Sequence, residues 1–90
     1  MKEIKVSWVV FEDEPFSINL LIESDKSDLA ICEMLYRDTN LYQGELWDRI
    51  EPFLPATRNH TALSVGDEVT IDGITYVCAD FGWKEKQPAA

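Results

Sequence analysis

Asp72-Gly73 stands between two runs rich in β-branched and aromatic residues, Glu68–Ile71 and Ile74–Ala79, and this pattern constrains the chain more than any other. An Asp-Gly pair flanked by such runs is the strongest short-range signal for a β-hairpin, because glycine takes a positive φ without strain and aspartate tolerates one. A two-residue loop pairs Ile71 with Ile74, Thr70 with Thr75, Val69 with Tyr76 and Glu68 with Val77. Directly opposed residues share a face. The pairing predicts a buried face of Val69, Ile71, Ile74, Tyr76 and Cys78, and a half-wet face of Glu68, Thr70, Thr75 and Val77. Upstream, Ser64-Val65-Gly66-Asp67 reads as a turn bringing Leu63 and Val65 onto the core. Downstream, Phe81-Gly82-Trp83 reads as two rings plugging the end of the sheet, with an exposed binding platform as the alternative.

The rest of the chain supplies cover for this hairpin. From Lys2 to Phe11, Ile4, Val6, Trp8 and Val10 alternate with Lys5, Ser7 and Val9, the period of a strand with one buried face. Glu12-Asp13-Glu14-Pro15 follows as a solvated turn, since proline cannot donate to a ladder. Phe16–Glu23 returns as a second strand, antiparallel to the first. Ser24, Asp25 or Ser27 then offers an N-cap, with Asp28 in the first turn of a helix from Ser27 to Arg37 whose apolar stripe is Leu29, Ile31, Cys32, Met34, Leu35 and Tyr36. Asp38–Gln43 breaks the pattern, and Thr39-Asn40 signals a turn. A shorter helix is expected over Gly44–Glu51, ended by Pro52. The fold class is therefore α+β, in the order β-β-α-α-β-β, with the helices on one face of an antiparallel sheet. Whether the two hairpins join into one sheet stays open.

Ninety residues suffice for one small domain, expected over residues 1–84, with a loose tail over 85–90. No apolar run approaches the roughly 18 residues of a membrane span. A secretory h-region is also missing near Met1, so a cytoplasmic product is expected. Seventeen acids against eight basic residues give a net charge of -9. A nucleic-acid-binding surface is ordinarily basic, so direct contact with DNA or RNA is disfavoured, as is an acidic membrane. The acidity suits a basic protein partner, or merely keeps the chain soluble.

Chemistry is sparse. Cys32 and Cys78 lack metal-ligand spacing and read as small buried hydrophobes, with their pairing left open. The sole histidine, His60, has no spacing that ties it to a nucleophile. The triplet Glu12-Asp13-Glu14 lacks the alternating ligands and glycine of a calcium loop. No P-loop or dinucleotide fingerprint occurs, and no cofactor or catalytic residue is expected.

The pattern His60, Leu63-Ser64-Val65-Gly66-Asp67, a strand, a short turn, Tyr76, a further strand and Gly82-Trp83 resembles the YodL-like domain of phage and conjugative-element proteins. A preceding helix ending near an asparagine, here Tyr36–Asn40, is part of the likeness, which covers about the C-terminal two thirds. Trp83 stands where that family has phenylalanine, and the segment 44–51 resembles an insertion. The resemblance implies a mobile-element setting without a defined activity. Together with the charge it leads to the expectation of a small, non-enzymatic interaction module that binds a host protein in the host cytoplasm. A sharper version has an acidic face of Glu12, Asp13, Glu14, Asp67, Glu68 and Asp72 imitating nucleic acid to a nucleic-acid-binding partner. Trp47 and Trp83 are candidate aromatic contacts. The alternative is a structural or assembly subunit, either a homodimer or part of a larger complex, held by a sheet edge or by those two tryptophans.

Overall fold

The computed structural model describes residues 1–9, 16–54 and 62–86. Its elements run β1 (Lys2–Trp8), β2 (Phe16–Ile22), α1 (Asp28–Leu41), α2 (Glu45–Ile50), a 3-10 turn (Glu51–Phe53), β3 (Glu68–Ile71), β4 (Ile74–Cys78) and β5 (Trp83–Glu85). The α+β class stands, and the two hairpins form one antiparallel sheet in the order β2-β1-β3-β4-β5. The join is β1 against β3, where Ile4 faces Ile71 and Val6 faces Val69. Both pairs are apolar and buried.

The central hairpin has the expected register, from Ile71↔Ile74 to Glu68↔Val77. Asp72 at φ 49 and Gly73 at φ 89 give the left-handed pair that a two-residue hairpin turn requires. The turn is also fastened sideways: Glu3 N–H donates to the Asp72 carboxylate and Asp72 N–H to the Glu3 carbonyl, each at 2.9 Å. Val69, Ile71, Tyr76 and Cys78 are buried as expected, but Ile74 is exposed. The pairing of β5 with β4 runs from Cys78↔Trp83 to Tyr76↔Glu85, short of Ile74.

β5 is an element that the sequence pattern did not disclose. Two of its three residues are charged, and it forms because Ala79 N–H bonds the Gly82 carbonyl at 2.8 Å and turns the chain back along β4. Lys86 N–H continues the ladder to the Thr75 carbonyl at 2.7 Å. The expected tail therefore starts inside the sheet. Phe81 is not a plug: at 94% exposure it projects from the turn, while Trp83 packs partly against the core. Val65 likewise lies outside, at the corner of its turn, and Leu63 alone enters the core.

The helix α1 begins where Ser27 accepts a hydrogen bond from Ala30 N–H at 3.2 Å, so Ser27 is the cap among the three candidates. It runs one turn past Arg37. Ile31, Cys32, Leu35, Asp38 and Thr39 form its buried stripe, and the expected Leu29 and Tyr36 are exposed. Polar residues occupy the last two positions of that stripe because each bonds a distant part of the chain. Asp38 accepts from Leu46 N–H at 3.2 Å and from Arg37 Nε at 3.1 Å. Thr39 Oγ1 donates to the Leu35 carbonyl at 2.8 Å and accepts from Leu63 N–H at 3.0 Å. Asn40 donates to the Leu63 carbonyl at 3.2 Å. Asp38 and Thr39, the first two residues of the segment expected as a loop, thus form a buried junction of α1, α2 and the approach to β3, while residues 40–43 are exposed.

Both helices cover the face carrying Ile4, Val6, Ile18, Leu20, Val69 and Ile71, all in one core with Leu35, Leu46 and Ile50. The opposite face is uncovered by them and polar. It is laced by the hydroxyl pairs Ser7–Ser17 at 3.0 Å and Thr70–Thr75 at 2.8 Å. No helix among the described residues is long and apolar enough to cross a membrane.

Candidate partner-binding surface

The acidic face expected around the hairpin does not assemble among the described residues. Asp67 is 2% exposed and turned inward. Its carboxylate accepts from Val9 N–H at 2.8 Å and Ser64 N–H at 2.9 Å, and its backbone carbonyl accepts from Cys78 N–H at 2.9 Å. Asp67 is thus a structural clamp between the end of β1, the turn before β3 and the end of β4. Asp72 stands at the other end of β3, about 17 Å away for five extended residues. Glu68 faces the uncovered side and pairs with Lys86 at 3.2 Å. Glu12, Asp13, Glu14 and His60 lie outside the described residues.

A group of exposed acids lies instead on the helices and the adjoining β4–β5 corner, with Glu23, Asp25 and Asp72 exposed elsewhere. Glu33 on α1, Glu45 and Asp48 on α2, Glu51 after it, Asp80 in the β4–β5 turn and Glu85 are all exposed. Arg37 and Arg49 are the basic residues of the two helices, and both are engaged: Arg37 with Asp38, and Arg49 with the Leu21 carbonyl at 3.0 Å. On the uncovered face, strand alternation sets Glu3 and Glu68 among Lys5 and Lys84, so the charges offset one another. Periodicity could not reveal this asymmetry, because it follows from which face the helices cover.

Among the described residues, two concavities bear on this surface. The larger, about 530 Å³, is a trough on the uncovered face along Glu3, Lys5, Asn19, Leu21, Thr70 and Gly73. It has no wall from the helical layer and holds both signs of charge. The smaller, about 180 Å³, is a notch between α1 and the β4–β5 turn, lined by Glu33, Tyr36, Cys78, Asp80, Gly82 and Trp83. Two aromatic residues and two exposed carboxylates meet there, and the notch keeps Trp83 as a candidate contact. Trp47 is lost from that role, since it is 8% exposed and meets Tyr42 edge-on with ring centres 5.4 Å apart.

Neither thiol is poised for nucleophilic chemistry. Both cysteines are free and buried. Burial pushes the Cys32 thiol up to about 12 and raises that of Cys78, so both stay protonated at neutral pH. Tyr76 is likewise pushed up to about 12, chiefly because its hydroxyl donates to Asp28 at 2.8 Å. Lys2, bonded to the same Asp28 at 2.8 Å, is the larger cause of that carboxyl's lowered pKa, with Tyr76 second. Among the described residues no group of three or more His, Cys, Asp or Glu side chains is placed to hold a metal ion.

Comparison with protein-family models, with curated proteins and with solved structures finds no match to this chain.

Proposed function

We propose that this protein is a small, non-enzymatic interaction module whose acid-rich helical layer engages a basic partner protein. The observation that carries the reading is the asymmetry of charge: exposed carboxylates crowd the helical side while the uncovered sheet face is close to balanced. A one-sided field of this kind steers an oppositely charged partner more than it adds stability. A host protein in a phage or mobile-element setting is the partner class suggested by the resemblance of Leu63–Asp67 and Gly82-Trp83. A nucleic-acid-binding host protein suits the charge, with the carboxylates standing in for phosphates.

The test is binding to proteins captured from the host cytoplasm, measured between 10 and 100 mM salt, over which the screening length falls from about 30 to about 10 Å. Affinity should drop steeply, and DNA should compete for the partner. Salt-insensitive binding without competition rejects the proposal.

A second reading, a homodimer, is favoured by β2. This edge strand of seven residues, Phe16–Ile22, carries no charge, and Leu21 on it is 59% exposed. Edges without charge or other protection are templates for pairing. Arg49, bonded to the Leu21 carbonyl, shields part of that edge.

A further inference from the structure

We infer that the notch between α1 and the β4–β5 turn is a socket for one arginine side chain of a basic partner, with Phe81 as an apolar anchor beside it. The inference rests on the interaction-module reading and specifies its contact point. At about 180 Å³ the notch is smaller than the roughly 300–1,000 Å³ of small-molecule sites, yet larger than one or two waters at about 30 Å³ each. It is the size of a side-chain head.

The lining chemistry selects a cation. Tyr36 and Trp83 offer aromatic surface, to which a guanidinium is attracted within about 6 Å of a ring. Glu33 and Asp80 stand on opposite sides of the notch, one on the helix and one on the turn, and both are exposed. Among the described residues neither is paired with Arg37, which is engaged by Asp38, or with Arg49, which is engaged by the Leu21 carbonyl. Arginine suits this setting better than lysine, because a planar, weakly hydrated guanidinium stacks on a ring while its N–H groups reach carboxylates. The floor is Cys78, 4% exposed, whose thiol has a long contact of 3.9 Å with the Ala79 carbonyl.

Phe81 supplies the second argument. A phenylalanine at 94% exposure on a turn adjoining the notch gives up no packing of its own when a partner covers it. Interface hot spots combine such aromatic anchors with desolvated arginine contacts.

The experiment titrates the full chain with an eight-residue peptide of alternating arginine and glycine, and with its citrulline counterpart, following backbone amide and indole resonances at low salt. Shifts should centre on Tyr36, Gly82 and the Trp83 indole, and the citrulline peptide should bind at least tenfold more weakly. The double variant E33Q/D80N should lose about tenfold in affinity, while the charge-matched E45Q/D48N should lose less than threefold. Each variant changes exposed side chains, and its fold is checked by the dispersion of the same spectra. Equal losses in the two double variants would overturn the socket and leave the broader acidic-surface reading intact. Absence of any arginine-peptide binding would overturn both.

Discussion

The carboxylate of Asp38 occupies the space beside Gly44 so closely that a Cβ on the glycine would lie 2.5 Å from its Cγ. Gly44 has φ +119, a conformation that side chains rarely adopt, and it is the N-cap residue of α2 without a side chain to cap with. Asp38 substitutes for the missing cap from the preceding helix by accepting from Leu46 N–H.

The substitution Gly44→Ala should therefore destabilise the fold by more than about 1 kcal/mol, from backbone strain and the clash together. Asp38→Ala should lose about 1–3 kcal/mol by leaving Leu46 N–H buried without its acceptor. The two losses should be less than additive, since removing the carboxylate opens space for the Cβ. Urea unfolding of the single and double variants measures this; strict additivity would refute the coupling.

Stability should fall at both extremes of pH, for separate reasons. Cys32 and Tyr76 are raised in the fold, from 9.0 and 10.0 to about 12 each. Their contribution is full below the unfolded values and is lost as pH rises toward and through 12. Asp28 is lowered from 3.8, so its contribution is present above that value and disappears as pH falls through the folded pKa. Thermal melts from pH 2 to 11 should show Tyr76→Phe flattening the alkaline decline and Lys2→Met weakening the acid one. An unchanged alkaline slope in the Tyr76→Phe variant would contradict the Tyr76 part.

Leu35→Ala should cost about 2–5 kcal/mol, because Leu35 is fully buried between α1 and the sheet. Phe81→Ala should stay within about 0.5 kcal/mol of the parent, given its exposure. Chemical denaturation separates the two, and a large loss for Phe81→Ala would show that this ring packs in solution.

If β2 pairs between two copies, Leu21→Lys should abolish dimerisation by placing a charge on each edge. Sedimentation velocity across a hundredfold concentration range reads the outcome. A concentration-independent parent monomer removes the homodimer altogether.

Much of the strand layer was legible because alternation is a local property. The register Val69↔Tyr76 follows from one dipeptide, and the pairing of β1 with β2 from matched apolar periods. The apolar pattern ends α1 at Arg37 because Asp38 and Thr39 continue a buried stripe that hydrophobicity scores as ended. Their partners, Leu46 and Leu63, are remote in sequence. β5 escaped for a similar reason, since Lys84 and Glu85 have no strand preference and are drawn in by the free edge of β4. Charge counts carry no direction: Asp67 looks like a surface acid until its three backbone partners are seen.

The position of β1 between β2 and β3 has a consequence for how the molecule comes into being. During synthesis the β1–β2 hairpin emerges early, yet the flank of β1 that bonds to β3 has no partner until residue 71 has left the ribosome. Until then β1, an interior strand of the finished sheet, stands as an open rim, which makes this half-built sheet the stage most exposed to association with the wrong strand.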